Sequence, residues 1–400
     1  MMHMLNRAFQ FLMKLLSFLM PFREPKIIRT IEDLPFEINR LNLNRVMIVT
    51  DQGVVRAGLL QMLVDILHKN NIDKFFIYSR VQSEPNNEHV EDGYRFYLSH
   101  QCDSFIALGG GNPIDFAKAV GIKAVRPKVQ LTKLKGLFKV IKKIPPLIAI
   151  PTTAGTGSEV SIVCSLTDKK TSMTFTIIGF ALVPLVAVLD PKLTFKLPPY
   201  LTAITGMDTL THAVEAYLNR YHTRKTKKCA LSAMTNVFQY LTIAYENPTN
   251  LEARTKMLQA SHDAGYAYTR DAVGYIHAMS HALGGYHHIS HGYANAIIMP
   301  YVLKAYGKRV ERKLADLHDD LWASKVKRTN TQKANHFIKH VETLNRRLMI
   351  PDHIILSHDY HMEEMVELIQ KEVRWNYPVP KIFSKKEIQT LLSQVVRIKK

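Results

Sequence analysis

Through the first half of the chain, short apolar runs rich in β-branched residues alternate with segments whose apolar positions recur at helical spacing. The runs are 46–50, 75–79, 105–108, 147–150 and 185–189. Several are apolar without alternation, the pattern of strands buried on both faces. This predicts an α/β unit, a parallel sheet covered by helices. After Pro198-Pro199 the pattern changes, and helical spacing dominates to the end. A domain boundary is therefore expected near residue 200, with an α/β domain over 25–199 and a helical domain over 200–400. The ligand cleft is expected at the carboxyl ends of the strands, where such sheets bind small molecules.

The first residues form a separate element, an amphipathic extension over 1–24. Leu5, Phe9, Leu12, Leu16 and Leu19 recur at helical spacing, Arg7 and Lys14 interrupt them, and Pro21 marks a stop. The uninterrupted apolar run is too short to span a bilayer, and no small-residue cleavage site follows it. The expectation is a helix docked on the protein or on an oligomer partner. The alternative is peripheral contact of residues 1–22 with an anionic membrane.

Composition narrows the class. The chain has 400 residues, 46% of them hydrophobic, enough to bury two ordinary cores. Cys102, Cys164 and Cys229 are odd in number and widely spaced, so no disulfide framework is expected. That usage points to a reducing, cytoplasmic setting. The formal net charge of +19 raises nucleic acid as a partner. The basic residues are spread, however, with modest concentrations at 224–228 and 397–400, and no nucleic-acid motif accompanies them. A solvated basic surface and no nucleic-acid partner are expected.

The candidate chemistry lies in the second half. Asp208 and His212 stand four apart in GMDTLTHAVEAY, so a helix presents both on one face. His277 and His281 repeat that spacing in IHAMSHALGG, and His291 follows in what reads as the loop HHISHGYANA. One carboxylate with three imidazoles suits a divalent first-row metal such as iron(II) or zinc. A single such pair is more often a satisfied core or surface group, so spacing alone carries little.

In the first half, the run 105–108 ends at Gly109, Gly110 and Gly111, followed by Asn112 and Pro113. Asparagine is a good N-cap and proline fits the first helical position, which predicts a helix starting there. Glycines admit a ligand close to the backbone, and free amides at a helix start attract phosphate. The usual GxGxxG turn follows the first strand. Here that strand ends instead in Asp51, and the glycines come later.

Four motifs in order, GGGNPIDFAK, PTTAGTGSEV, the stretch 191–217 and HAMSHALGGYHHISHGYANA, resemble the iron-containing (group III) alcohol dehydrogenases. The resemblance implies the dehydroquinate synthase-like fold, with a dinucleotide-binding α/β domain followed by an all-α metal-binding domain. It implies metal ligation by Asp208, His212, His277 and His291, with His281 beside the substrate as the catalytic histidine. Cofactor contacts fall on Asp51, Gly109, Gly110, Gly111, Asn112, Asp115, Thr152, Thr153 and Thr156. Asp51 would meet the adenosine ribose and repel a 2′-phosphate, favouring NAD over NADP. Fe2+ is the implied metal, with Zn2+ the alternative. An alcohol or aldehyde is the implied substrate and a homodimer or higher homo-oligomer the implied assembly. Tyr268 and Val163 would line the substrate site.

Three positions depart from the family pattern. Thr174 replaces a lysine that contacts the cofactor, with Lys169 or Lys170 as substitutes. Glu84 replaces an asparagine, and Asn112 a serine. A metal at the histidine site would acidify an alcohol or polarise a carbonyl, and His281 would orient the substrate or relay a proton. The competing bland role for His281 is support of the ligand helix. A lyase like dehydroquinate synthase ranks lower, because that branch uses a glutamate where Asp208 stands. A catalytically silent protein held at a membrane by its N-terminus is the reading from another class.

Overall fold

A computed structural model describes residues 7, 10, 11, 22–83, 85–169, 173–322, 327–356 and 361–399. It resolves into two compact units, one of Pro21–Pro198 with Asn247–Gly265, the other of Met1–Met20, Pro199–Glu246 and Tyr266–Lys400. The α/β unit thus also takes in Asn247–Gly265, a return that hydrophobic spacing does not signal.

In chain order the α/β unit runs β1 (Lys26–Ile28), α1 (Leu34–Arg40), β2 (Val46–Asp51), α2 (Gln52–Arg56), α3 (Leu59–Lys69), β3 (Phe75–Val81), α4 (Asn87–Ser99), β4 (Ser104–Gly109) and α5 (Gly111–Val125). It continues with β5 (Gly136–Leu137), β6 (Leu147–Pro151), β7 (Val163–Asp168), β8 (Met173–Ile178) and β9 (Val186–Val188). The main sheet has the order β1-β9-β6-β4-β2-β3, and all its pairs are parallel. The five apolar runs read from the sequence are β2, β3, β4, β6 and β9.

Their two-sided burial is visible residue by residue. Met47, Val49, Phe105, Ala107, Leu147 and Ala149 face one core, with Phe116 and Ile122 of α5. Val46, Ile48, Ile106, Leu108, Ile148 and Ile150 face the other, with Leu34 and Leu63. Alternate residues point to opposite faces of a strand. Both faces are covered here, so neither set could be polar. A smaller sheet, β5-β8-β7, includes the antiparallel β7–β8 pair. Those strands were not anticipated, because serine and threonine break up their apolar residues.

The other unit is built on α6 (Pro199–Leu218), α7 (Arg224–Glu246), the end of α8 (Leu251–Asp271), α9 (Tyr275–His287), α10 (His291–Tyr306), α11 (Glu311–Leu321), α12 (Asn330–Arg347), α13 (Met362–Asn376) and α14 (Lys385–Val395). A short parallel pair, β10 (Ile354–Leu356) and β11 (Val396–Ile398), accompanies them. Helix α6 is buried almost throughout from Thr202 to Leu218. A Cβ on Gly206 would lie 2.2 Å from Leu241 Cδ1, so glycine there lets α7 close onto α6.

Of the N-terminal extension, Arg7, Gln10, Phe11 and residues 22–24 are described. Gln10 is buried and donates to the carbonyls of Arg374 at 3.0 Å and Tyr377 at 2.9 Å. Phe11 packs against Tyr221 with ring centroids 5.8 Å apart. Leu5, Phe9, Leu12, Leu16 and Leu19 lie outside the described residues. Among the described residues no helix is long and apolar enough to cross a membrane.

Candidate metal centre and glycine–threonine cradle

Helices α6, α9 and α10 bring Asp208, His277 and His291 together. One ligand atom from each lies within 4.8 Å of the others. Asp208 Oδ1 is 3.8 Å from His277 Nε2 and 3.5 Å from His291 Nε2. Ligands bonded tetrahedrally at roughly 2.1 Å stand roughly 3.4 Å apart, so the spacing suits one ion. His212 lies beside this trio. Its Nδ1 is 3.8 Å from Asp208 Oδ2, and its ring is 4.4 Å from that of His277 and stacked on Tyr268 at 4.3 Å.

The amide of Asn295 tests the fit. Its Nδ2 is 2.8 Å from Asp208 Oδ1, 3.1 Å from His291 Nε2 and 3.4 Å from His277 Nε2. An amide has two hydrogens, and three acceptor atoms converge on it. Its own Oδ1 is buried without a hydrogen bond among the described residues. The trio therefore offers more lone pairs than the protein can satisfy, which is what a bound cation would answer.

Neighbouring groups fix which imidazole nitrogen faces the trio. His277 Nδ1 is 2.7 Å from Glu215 Oε2, and Glu215 also accepts the amides of Gly274 at 2.7 Å and Ile276 at 2.8 Å. That directs the His277 proton to Nδ1 and leaves the Nε2 lone pair towards Asp208. Ser280 Oγ donates to the His291 carbonyl at 3.0 Å, so it accepts from His291 Nδ1 at 3.1 Å. Again Nε2 is left as the acceptor. Helix α10, not a loop, carries His291 as its first residue. Gly292 makes that placement possible, because a Cβ there would lie 2.3 Å from the Ile204 carbonyl oxygen.

The electrostatics agree with neutral ligands. Burial, then the neighbouring histidines, hold His277 well below the ordinary imidazole pKa. Burial lowers His291 to about 4, although one side of the ring stays open to solvent. Burial pushes Glu215 up to about 8 against the pull of its backbone donors. His281 differs. Burial opposes its protonation, but Glu372, whose Oε1 is 2.7 Å from Nδ1, outweighs that and raises its pKa. Tyr377 donates to the same oxygen at 2.6 Å. His281 also stacks on His291 with centroids 5.2 Å apart. His287 closes α9 half-buried and His288 is exposed.

In the α/β unit the glycine turn meets the threonine loop. Gly109 has φ +152°, and a Cβ there would lie 2.5 Å from Pro113 Cγ and 3.4 Å from Asp51 Oδ2. A Cβ on Gly110 would stand 3.3 Å from Thr153, and one on Gly111 2.8 Å from Thr156 Cγ2. The Thr152 amide donates to the Gly109 carbonyl at 3.0 Å. Asp51 Oδ1 caps α2 by accepting from the Val54 amide at 3.0 Å. The carboxylate thus serves as a turn cap while standing beside the glycines.

Two expectations change here. Helix α5 begins at Gly111 with Gly110 as N-cap, two residues before the expected start. Asn112 lies inside the first turn, and its amide donates to the Ser83 carbonyl at 2.7 Å. Glycine without a Cβ permits the earlier start. Asp115 is buried, with Oδ2 accepting from the Ser165 amide at 2.9 Å and Oδ1 3.6 Å from Lys118 Nζ. That places its carboxylate on β7. Fully buried Lys118 in turn donates to the carbonyls of Ser158 at 2.8 Å and Val163 at 2.7 Å, pinning the end of the threonine loop. Thr174 pairs with Thr167 within the β7–β8 hairpin, and Lys169 is engaged with Glu88 at 2.5 Å. Glu84 and Lys170 lie outside the described residues.

Glu215, Ser280, Asn295 and Glu372 were not anticipated. Glu215 had a signal, since it falls seven residues after Asp208 on the same helical face. Glu372 had none, being ninety-one positions from His281.

Comparison with known proteins bears on both sites. Residues 28–191 match the family described as iron-containing alcohol dehydrogenase, and residues 202–396 match the Fe-containing alcohol dehydrogenase C-terminal family. The 1,3-propanediol dehydrogenase of Klebsiella pneumoniae is 34% identical over 312 residues, covering 78% of this chain and 80% of that protein. The solved alcohol dehydrogenase from Oenococcus oeni superposes with TM-score 0.88 at 29% identity, covering 94% of this chain and 99% of that one. Sulfoacetaldehyde reductase from Bifidobacterium kashiwanohense, solved in complex with NAD+, superposes with TM-score 0.80 at 26% identity, covering 94% and 98%.

Proposed function

Because the chain belongs to the iron-containing alcohol dehydrogenase family, we propose that it interconverts a small alcohol and its aldehyde using Fe2+ and NAD. The observation that carries this is the convergence of Asp208 Oδ1, His277 Nε2 and His291 Nε2 on one point. His212, beside them, is assigned as the fourth ligand. A divalent ion held there supplies Lewis-acid chemistry, and NAD supplies the hydride acceptor.

The chain's own residues divide the remaining work. Glu215 and Ser280 hold His277 and His291 in the tautomers that present Nε2. His281, held by Glu372, is placed to hold or move the proton of the reacting hydroxyl. In the α/β unit, Gly109, Gly110, Gly111, Thr152, Thr153 and Thr156 form the cofactor cradle, with Asn112 and Asp115 bracing it. Asp51 beside the glycines favours a free ribose 2′-hydroxyl over a 2′-phosphate, hence NAD over NADP. A small substrate is supported by the relatives, whose names specify 1,3-propanediol and sulfoacetaldehyde.

The test is NADH oxidation with short aldehydes after anaerobic loading with Fe2+ or Zn2+, run beside His277→Ala. Metal-dependent turnover that the variant loses supports the reading. Metal loading and NADH binding without turnover of any aldehyde would overturn the substrate class.

A further inference from the structure

The basic charge is less evenly spread than the sequence reading held. Between Asp115 and Glu159 the chain carries no acidic residue. Lys128, Lys133, Lys135, Lys139, Lys142 and Lys143 fall in that span, and all six are exposed. Ile141 stands among them at 86% exposure, the highest of any large hydrophobic among the described residues.

This segment is pinned from beneath. Leu131, Leu134 and Val140 are buried in the α/β core. Strand β5 pairs with β8, and the Phe138 amide donates to the Ile178 carbonyl at 2.7 Å. Phe138 stacks on Phe180 at 5.1 Å. Ile141 therefore projects from a fixed platform, directly after a buried valine and between lysines.

We propose that the lysine-rich platform 128–143 is a docking surface for an anionic lipid bilayer, with Ile141 entering the headgroup layer. Lysines act on such a surface as point charges, roughly five-fold in affinity for each one near it. A single inserted aliphatic side chain adds apolar burial that a purely electrostatic partner would not reward. Nucleic acid fits less well. Its surfaces use exposed aromatics and free guanidinium groups. Here Phe138 is occupied by Phe180, and Arg126 donates to the Lys139 carbonyl at 2.8 Å. The chain also enters this unit beside the platform. Phe22 lies 6.2 Å from Phe180, and Arg23 donates to the Val183 carbonyl at 2.5 Å.

The experiment is vesicle flotation of the full chain with phosphatidylcholine alone and with added phosphatidylserine, at low and high salt. Binding should require phosphatidylserine and weaken with salt. Ile141→Asp should weaken it roughly tenfold, and Lys142→Glu with Lys143→Glu by more than roughly twenty-five-fold. Charge reversal at Arg224 and Lys228, the other basic run, should change it less than roughly two-fold. Thermal midpoint and aldehyde reduction of each variant report that the fold is intact. No preference for phosphatidylserine overturns the proposal. Binding equal to that of the unaltered chain in the platform variants also overturns it, and assigns any membrane contact to residues 1–22. Tighter binding to poly(U) RNA than to vesicles, indifferent to Ile141→Asp, overturns it in favour of a nucleic-acid surface.

Discussion

The metal centre and the glycine–threonine cradle are built by opposite means. At the metal centre, side chains do the specifying. Asp208, His277 and His291 converge, and Glu215 and Ser280 orient the two imidazoles from behind. At the cradle, missing side chains do it. Gly111 lets the start of α5 approach Thr156 more closely than a Cβ would allow, and Gly110 spares Thr153 a tight Cβ contact at 3.3 Å. One site should therefore fail chemically when altered, and the other sterically. Each lies within its own compact unit, so the two failures should separate.

The largest effect is expected from removing a ligand. Asp208→Ala deletes the only anionic ligand and leaves the imidazoles of His212, His277 and His291, with no carboxylate to offset the charge of a bound Fe2+. Turnover should fall to background and the purified protein should lose its metal by elemental analysis, while NADH binding survives. Loss of NADH binding in this variant would mean that the two sites are not independent.

The cradle should answer in the other direction. Gly111→Ala forces a Cβ to 2.8 Å from Thr156 Cγ2, a contact that something must relieve. A cost of about 1–3 kcal/mol is typical of such overpacking. NADH affinity should drop and the thermal midpoint fall, with metal content unchanged. Gly109→Ala adds a strained φ of +152° and should be the more destabilising of the two.

A smaller effect tests the orienting layer. Glu215→Gln keeps the size but replaces one acceptor oxygen by a donor. One of the contacts with the Gly274 amide, the Ile276 amide or His277 must then fail. Metal affinity should fall by roughly 10–100-fold, the usual consequence of losing such support. Titration with a competing chelator measures it. An unchanged affinity would show that ligation by His277 does not depend on the full set of Glu215 contacts.

The contrast also explains what could be read without coordinates. The central strands were legible because alternate residues of β2, β4 and β6 serve two apolar cores, leaving no polar position to confuse the pattern. Asp208 and His212 were legible because helical spacing is a local property. Strands β7 and β8 were not, since their inward residues alternate with serine and threonine. Glu372 was invisible for a different reason: its link to His281 is made by the packing of α13 against α9, and no periodicity encodes that. At the cradle the glycine run was obvious, but it misled about the cap. A residue type that permits many conformations marks a turn without fixing where the helix starts. Asn112, a good cap by propensity, was displaced to a bond with Ser83.

The smallest effect separates two duties of one carboxylate. Asp51 Oδ1 caps α2 through the Val54 amide, and Oδ2 stands by Gly109. Asparagine caps a helix about as well as aspartate, so Asp51→Asn should leave the thermal midpoint almost unchanged. It removes the negative charge, and with it the proposed repulsion of a 2′-phosphate. The ratio of kcat/KM for NADPH to that for NADH should rise roughly tenfold, about 1.4 kcal/mol of lost discrimination. Asp51→Ala should shift the ratio similarly but also cost about 1 kcal/mol of stability, because the cap goes with the charge. If Asp51→Asn leaves the ratio unmoved, the residue is a helix cap alone, and cofactor choice must come from elsewhere at the carboxyl edge of the sheet.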